Sequence, residues 1–320
     1  MDKSIFVLGG NDAEMVVIRI LLERAGVAFF QPEMGWGDKV FGPEQLGLEV
    51  DPAFDGRGRD QRGRPARVRD VSRAYFVECR PTTDWPAGTP VMVIDHHGDR
   101  SGEPASVLQV LAALSDQVLT DLAFEAEEGN AYDRADALRA AALVREALNL
   151  SNETRRWVEL VAANDAGYIP AMMTLGATAE EVARVRLADR SAQGITPEQE
   201  RQAEEAIAAS EVIGGLVIVH LAHSKCATVT DRLFGKYPGG RENLLVLSGD
   251  GEVNYFGDGA LCAALKEKFP EAPAPWAPEK MAQSWAGGSG LGKAGGQAFW
   301  GGYPSEDEVL AFLKKEERAS

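Results

Sequence analysis

Paired cysteines, long apolar runs and basic residues are all scarce in this 320-residue sequence. The cysteines, Cys79, Cys226 and Cys262, lie far apart, which excludes a disulfide framework and a thiolate zinc finger and is typical of a reducing compartment. No apolar run reaches the roughly 18 residues of a membrane span, and the first residues lack the basic start and the cleavage site of a signal peptide. We therefore expect a cytoplasmic protein with no membrane partner.

The shortage of basic residues, 33 against 49 acidic ones, gives a net charge of −16. A chain with this surplus repels long polyanions, so sequence-independent binding to duplex DNA is excluded. One segment departs from the trend, because seven arginines and only two acids lie from Arg57 to Arg73. This segment is either a solvated surface loop or a phosphate clamp, since guanidinium groups pair bidentately with phosphate. Arg62 and Arg64 are its candidate substrate contacts.

Apolar strands and amphipathic helices alternate in the first part of the chain. Buried strands are predicted at Ser4–Leu8, Ala74–Val77 and Val91–Ile94. Helices are predicted after the first strand, up to a stop at Gly26, and at Ala105–Leu114 and Tyr132–Leu148. This alternation indicates a parallel sheet with helices on both of its faces.

A charged, alanine-rich helix from Pro197 to about Ser210 separates this part from a second α/β block. Capping patterns at Thr178, Thr196 and Ser305 mark three helix starts. The second block is predicted to contain three strands, at Gly215–Leu221, Leu244–Leu247 and Val253–Phe256. A helix at Leu261–Phe269 and a glycine-rich segment at Gly287–Gly302 follow them. We therefore predict two α/β domains, an N-terminal one at 1–195 and a smaller C-terminal one at 214–320. A linker helix at 196–213 joins them.

Acids and histidines gather at the predicted ends of these elements. Asp95, His96 and His97 directly follow the third strand, and in an open parallel sheet ligands bind beyond the carboxyl ends of the strands. Other acids follow other elements, namely Asp12, Glu14, Glu78 and Asp165. Crowded carboxylates repel one another, so a divalent cation is their natural counter-charge, and oxygen ligands mixed with imidazole favour Mn²⁺ or Fe²⁺ over structural zinc. Alternatively, Asp95–His97 is only a polar turn at a strand end.

With these residues in place, the sequence resembles the DHH phosphoesterase superfamily, which takes its name from the triplet that stands here as Asp95-His96-His97. The acids after the first two strands, and Asp165 followed by Gly167, are similar to the family's other motifs. The resemblance implies a site for one or two divalent ions, usually Mn²⁺ (or Mg²⁺). The implied ligands are Asp12, Glu14, Glu78, His96 and Asp165. It also implies that Asp95 supports the ligands and that His97 faces the substrate phosphate.

The glycine-rich segment is similar to the substrate loop of the associated C-terminal domain, called DHHA1. Gly288, Gly290, Gly292 and Lys293 are the substrate-binding residues that this resemblance implies. Three features depart from the family pattern. Leu8 stands where the first motif normally has a histidine ligand, glutamates replace two usual aspartates, and the loop lacks its histidine.

The resemblance implies a metal-dependent phosphoesterase in which activated water attacks the phosphorus. Its substrate would be a small or single-stranded phosphate compound, such as a short oligonucleotide, a nucleotide or polyphosphate. The departures from the family pattern leave an alternative, which is a degenerate, non-catalytic relative that binds a nucleotide or another phosphate ligand. The sequence makes no prediction about the oligomeric state.

Overall fold

The computed structural model describes residues 4–31, 73–81, 90–97, 100, 102–127, 142, 145–146, 148–233, 243–275, 283–288 and 290–317. These residues divide into two compact units, one within 1–96 and 102–162 and the other within 97–101 and 163–320. This division is one of packing and does not test the predicted domain boundaries at 195 and 213, which stay a prediction.

The first unit is built on a four-stranded sheet in which every pairing is parallel, in the order β2-β1-β3-β4. Its strands are β1 (Ser4–Leu8), β2 (Ala28–Phe30), β3 (Arg73–Val77) and β4 (Val91–Ile94). The two central strands, β1 and β3, are buried almost throughout, which is why they are continuous apolar runs rather than alternating ones. Phe6 and Tyr75 are paired across them with stacked rings 4.5 Å apart.

The helices of the first unit are α1 (Ala13–Ala25) and α2 (Ser106–Glu127). Helix α1 begins at Asp12, whose carboxylate accepts a hydrogen bond from Met15 N at 2.8 Å, and ends at Gly26 in the left-handed conformation. Helix α2 packs against α1 and β4. The predicted helix start near Ala105 and the predicted stop at Gly26 are therefore observed.

The second unit contains most of the remaining elements. Its helices, of which the first begins in the preceding unit, are α3 (Asn152–Thr174), α4 (Ala179–Ala192), α5 (Pro197–Ala208), α6 (Ala227–Leu233), α7 (Gly259–Lys268) and α8 (Glu306–Glu317). Both capping boxes predicted from the sequence form, at Thr178 and at Thr196. Helix α5, predicted as a linker, packs against α6 and the neighbouring sheet.

A six-stranded mixed sheet, in the order β5-β6-β7-β8-β10-β9, forms the centre of the second unit. Its strands are β5 (Glu211–Ile213), β6 (Leu216–Leu221), β7 (Asn243–Ser248), β8 (Val253–Asp258), β9 (Trp285–Gly287) and β10 (Gln297–Gly302). Among the described strands of this sheet, β6 and β7 are the only pair that runs parallel. Tyr255 and Trp300 are fully buried and are the largest side chains of the core that this sheet forms with α7 and α8.

The predicted α/β class, with a parallel sheet in the first part of the chain, is confirmed. The glycine-rich segment was predicted as a loop, but part of it forms β9 and β10. Most of the helix predicted at Tyr132–Leu148 lies outside the described residues. Within the described part of the chain, no helix combines the length and the apolar character needed to cross a membrane.

Candidate metal centre and its surroundings

The carboxyl ends of β1 and β3 approach each other closely at Gly9. A Cβ on Gly9 would lie 2.8 Å from the carbonyl oxygen of Glu78, so only glycine fits there. Gly9 N donates to Val77 O at 2.9 Å, and Glu78 N donates to Ile94 O at 2.8 Å. The ends of β1, β3 and β4 are thereby tied together, and the residues that follow them meet at one edge of the first sheet.

Glu14 lies at this edge because it is in the first turn of α1. Its side chain is 1% exposed, and its Oε1 accepts a hydrogen bond from Val107 N, in the first turn of α2, at 2.9 Å. A helix N-terminus carries partial positive charge, so α2 stabilises this buried carboxylate. Asp12 is also buried, and one of its oxygens is used as the α1 cap.

His96 follows β4 and faces two of the buried acids. Its Nε2 lies 3.5 Å from Glu78 Oε1 and 3.7 Å from Glu14 Oε2, and all three side chains are less than a tenth exposed. A protonated imidazole carries one positive charge, whereas the two carboxylates carry two negative charges. Buried carboxylates beside an imidazole are typical of sites that bind a divalent cation.

Two further observations at Glu78 fit this group to a divalent cation. Among the described residues, the buried Oε1 of Glu78 has no hydrogen-bond partner. The Glu78 backbone also has a φ of +53°, a left-handed conformation that is uncommon for a non-glycine residue and costs about 1–3 kcal/mol. Such strain is typical of functional sites. Two carboxylates with one imidazole form a donor set that suits Mn²⁺ or Fe²⁺.

Three neighbours of this group have different roles. Leu8, for which the resemblance implies a histidine, is fully buried in the core of the first unit. Burial, together with the adjacent charge of Glu78, raises the pKa of the Cys79 thiol, which donates to Val7 O and stays protonated. The carbonyl oxygen of Asp95 accepts from Gln109 Nε2 at 3.1 Å, and the supporting role of the Asp95 side chain stays a prediction.

In the second unit, the structure brings His97 and Asp165 together. Their candidate ligand atoms lie within 4.8 Å of each other. Asp165 lies in α3 just before a break in that helix, where Gly167 has φ −165° and ψ 20° and Tyr168 has φ 62° and ψ −154°. Helical geometry resumes around Pro170, a residue that lacks the N–H that a continuous helix would need there.

The break is surrounded by a buried polar network that the sequence analysis did not predict. Arg186 Nε donates to Asp231 Oδ1 at 2.7 Å, and Arg186 Nη1 pairs with Asp189 Oδ2 at 2.8 Å. Arg190 also pairs with Asp231. Burial is the main cause that raises the pKa of Tyr168, whose hydroxyl donates to Asp231 Oδ1 at 2.6 Å. Asp231 is thus the common acceptor of the network.

The glycine-rich segment is packed against the start of α7. A Cβ on Gly259 would lie 1.8 Å from Gly290 O, so the two backbones touch directly. The Asp258 carboxylate accepts hydrogen bonds from Ala260 N and Leu261 N and thereby caps the N-terminus of α7. It also accepts a hydrogen bond from Gly295 N. Close backbone packing therefore explains Gly290 in the described structure.

The tip of this segment is more open. Gly292 and Lys293 are exposed, and Gly292 has a φ of +75°. Gly288 also has a positive φ, of +101°. The substrate-binding role of these residues stays a prediction. Arg62 and Arg64 lie outside the described residues.

A second cluster that the sequence analysis missed surrounds Glu252, at the turn between β7 and β8. Burial raises the pKa of Glu252 to about 7. A hydrogen bond from Asn254 Nδ2 at 2.8 Å lowers this pKa but does not offset the effect of burial. Tyr303 OH donates to the other carboxylate oxygen at 3.5 Å. Cys226 accepts from Asn254 at 3.0 Å, and burial raises the pKa of its thiol. No sequence motif marks this cluster, because its members come from distant segments.

No family model and no curated protein matches the sequence. Solved structures are similar to this chain at low sequence identity. PggH from Vibrio cholerae, a pGpG-specific phosphodiesterase, is 11% identical over 99% of each chain with a TM-score of 0.33. RecJ from Thermus thermophilus in complex with Mn²⁺ is 14% identical, over 99% of this chain and 52% of that chain, with a TM-score of 0.37. An exonuclease RecJ bound to manganese is 12% identical, over 99% of this chain and 90% of that chain, with a TM-score of 0.38.

The chain spans about half the length of the Thermus thermophilus RecJ chain, with 52% of it covered. Because these TM-scores lie below 0.5 and the identities below 15%, the roles of individual residues rest on this chain's own geometry.

Proposed function

We propose that this protein is a divalent-metal-dependent phosphoesterase. The observation that carries the proposal is the placement of His96 Nε2 within 4 Å of two buried carboxylates, those of Glu14 and Glu78. The mixture of oxygen and imidazole donors in this group favours Mn²⁺, with Mg²⁺ as the other choice. One or two ions are expected.

The proposed metal ligands are Asp12, Glu14, Glu78, His96 and Asp165. Asp12 and Asp165 enter through the resemblance to the DHH family, whereas the other three are supported by their mutual contacts. A bound divalent cation would supply a more acidic water and neutralise charge on the phosphate oxygens. Glu14 is held by α2 through Val107 N, so its second oxygen keeps a fixed direction toward His96.

The remaining roles belong to residues that face the substrate. His97 would donate a hydrogen bond to the phosphate, and Asp95 would orient its histidine neighbours. Lys293, on the exposed tip of the glycine-rich segment, would add a cationic contact for a second phosphate or phosphate-linked group. Arg62 and Arg64 would do the same from the arginine-rich segment.

The proposed substrate is a small or single-stranded phosphate compound, such as a short oligonucleotide, a nucleotide or polyphosphate. The net charge of −16 disfavours long duplexes, which need many basic contacts. PggH is described as specific for pGpG, which lies within this class. We place the protein in the cytoplasm, where such substrates occur together with reduced cysteines.

The test is hydrolysis of bis(p-nitrophenyl) phosphate and of a linear dinucleotide, with Mn²⁺ and with a chelator. We expect Mn²⁺-dependent release of product, and a loss of at least about a thousandfold in kcat/KM for His96→Ala, since one ligand of the metal is removed. Arg232→Gln, which removes the ion pairs of Arg232 with Glu200 and Glu204 and none of the proposed ligands, is the control and should retain activity. Full activity of His96→Ala would reject the proposal.

Leu8 specifically favours the alternative of a non-catalytic phosphate-binding relative. It is fully buried and contributes no ligand where the family normally has histidine. Under this alternative, a nucleotide binds to the folded protein with micromolar or better affinity, but no product forms with any divalent metal. Calorimetric titration of pGpG into the wild-type protein beside the hydrolysis assay separates the two functions.

A further inference from the structure

Asp165 is flanked by two residues that one buried side chain holds. Asn164 Oδ1 accepts a hydrogen bond from Arg186 Nη1 at 2.8 Å. On the other side of Asp165, the ring of Tyr168 lies against the same guanidinium group, with 4.2 Å from the Arg186 Cζ to the ring centroid. Arg186 therefore contacts the chain immediately before Asp165 and again three residues after it.

The backbone between these contacts has a conformation that needs support. Tyr168 combines φ 62° with ψ −154°, a region that is almost restricted to glycine. Its side chain is fixed at both ends, by the guanidinium at the ring and by Asp231 and Thr230 at the hydroxyl. A large residue keeps such a conformation only when surrounding contacts determine it.

Arg186 is itself held rigidly. It is 3% exposed, and it pairs with Asp231 at 2.7 Å and with Asp189 at 2.8 Å. Carboxylates fix the guanidinium plane because its donors form a planar fork. The order of contacts therefore runs from Asp231 and Asp189 to Arg186, and from Arg186 to both sides of Asp165.

We propose that Arg186 is a positioning residue for Asp165. By holding Asn164 and Tyr168, it stabilises the break in α3 and sets the direction of the Asp165 carboxylate. Were the break to relax, Tyr168 would leave the Arg186 guanidinium, and Asp165 would lose its support on the C-terminal side. This inference rests on the proposed metal site, to which Asp165 belongs.

The experiment is Mn²⁺ binding, followed by electron paramagnetic resonance of free Mn²⁺, in wild type, Arg186→Met, Arg186→Lys and Arg232→Gln. Arg232 is the matched control, because it pairs with Glu200 and Glu204 rather than with the α3 break. Circular dichroism monitors folding of each variant. A purely structural role changes the unfolding temperature but leaves the Mn²⁺ affinity of the folded protein unaltered.

We expect Arg186→Met to weaken Mn²⁺ binding about ten- to a hundredfold, as is typical when a residue behind a metal ligand is lost. Arg186→Lys should recover part of this loss, and Arg232→Gln should bind as wild type does. If Arg186→Met does not fold, Tyr168→Phe replaces it, because it removes only the hydroxyl contact, and its affinity should fall measurably below that of Arg232→Gln.

Two negative results have different meanings. A folded Arg186→Met, or in its place Tyr168→Phe, with wild-type Mn²⁺ affinity overturns the positioning role and leaves the metal site intact. A wild-type protein that binds no Mn²⁺ overturns the proposed function, and with it the positioning role.

Discussion

Buried acids occur in both units of the molecule, but their partners differ. In the first unit Glu14 and Glu78 face a histidine, at 3.7 and 3.5 Å from His96 Nε2. In the second unit Asp231 faces Arg186 and Arg190, as two ion pairs. An arginine stays charged at every accessible pH, whereas a histidine is protonated only near or below its pKa.

This difference separates a structural network from a candidate metal centre. Asp231 has permanent positive partners, so its charge is balanced within the protein. The two acids beside His96 face an imidazole instead, and this donor set is the one that we propose for a divalent cation. Burial of an acid is thus informative only together with the charge that faces it, which is why we assign function to the first group and positioning to the second.

The largest effect is expected when the balanced network is broken. Asp231→Ala removes the acceptor of two arginines and leaves buried Arg186 with one of its two carboxylate partners, which should lower the free energy of unfolding by about 3–5 kcal/mol. Urea denaturation measures this change. Glu205→Ala, which breaks an exposed pair with Arg201, is the control and should cost less than about 1 kcal/mol. Equal losses in the two variants would contradict the distinction.

The group of Glu14, Glu78 and His96 should instead gain stability when a metal ion is added. Mn²⁺ at about a hundred times its dissociation constant should raise the free energy of unfolding by about 2.7 kcal/mol, because it binds the folded state only. Glu78→Gln removes one of the acids and should lose most of this increase. The measurement is thermal unfolding with Mn²⁺ and with a chelator, and an equal Mn²⁺ effect in wild type and Glu78→Gln would refute the site.

Glu252 sharpens the comparison, because it is a buried acid held by Asn254 and Tyr303 rather than by an arginine. Burial raises its pKa from 4.5 to about 7. The folded state therefore holds the proton more tightly than the unfolded state, so stability is full below about pH 4.5 and falls as the pH rises through 7. The expected loss is about 1–3 kcal/mol.

Urea denaturation of wild type and Glu252→Gln between pH 5 and 8 checks this prediction. The difference in stability between the two proteins should move in favour of Glu252→Gln as the pH increases. A difference that is constant across this interval would show that Glu252 is ionised in the folded protein at pH 5.

The smallest effect concerns the backbone at Glu78. Its φ of +53° is relieved by glycine, so Glu78→Gly should stabilise the metal-free protein by about 1 kcal/mol or slightly less while it weakens Mn²⁺ binding. Glu78→Ala removes the same carboxylate without relieving the strain and is the control. The two unfolding curves are compared in chelator, and identical midpoints would argue against strain at this position.

Local patterns predicted much of the fold. Strand β1 was predicted at its observed bounds, and the ends of α1, α4 and α5 follow from Gly26, Thr178 and Thr196, because caps depend on neighbouring residues. Strands β9 and β10 were not predicted, since glycines normally disfavour strands. Gly287 is required there because a Cβ would lie 2.6 Å from the ring of Phe299.

The candidate site was predicted less completely. The motif around His96 indicated which acids to expect, and Glu14 and Glu78 lie within 4 Å of His96 Nε2, whereas their role as metal ligands stays a prediction. The conformation of Glu78 and the network of Arg186 depend on contacts between residues distant in sequence, and no spacing of residues encodes them. A single sequence therefore indicates candidate ligands, whereas their support is visible only in the folded chain.

The most direct test of the metal centre is the anomalous-scattering map of crystals grown with Mn²⁺. We predict a strong peak at ligand distance, about 2.0–2.3 Å, from His96 Nε2 and from a carboxylate oxygen of Glu78. The same crystals of His96→Ala should lack it. A map of the wild-type protein with no peak beside His96, or with Mn²⁺ bound only elsewhere, would contradict the account.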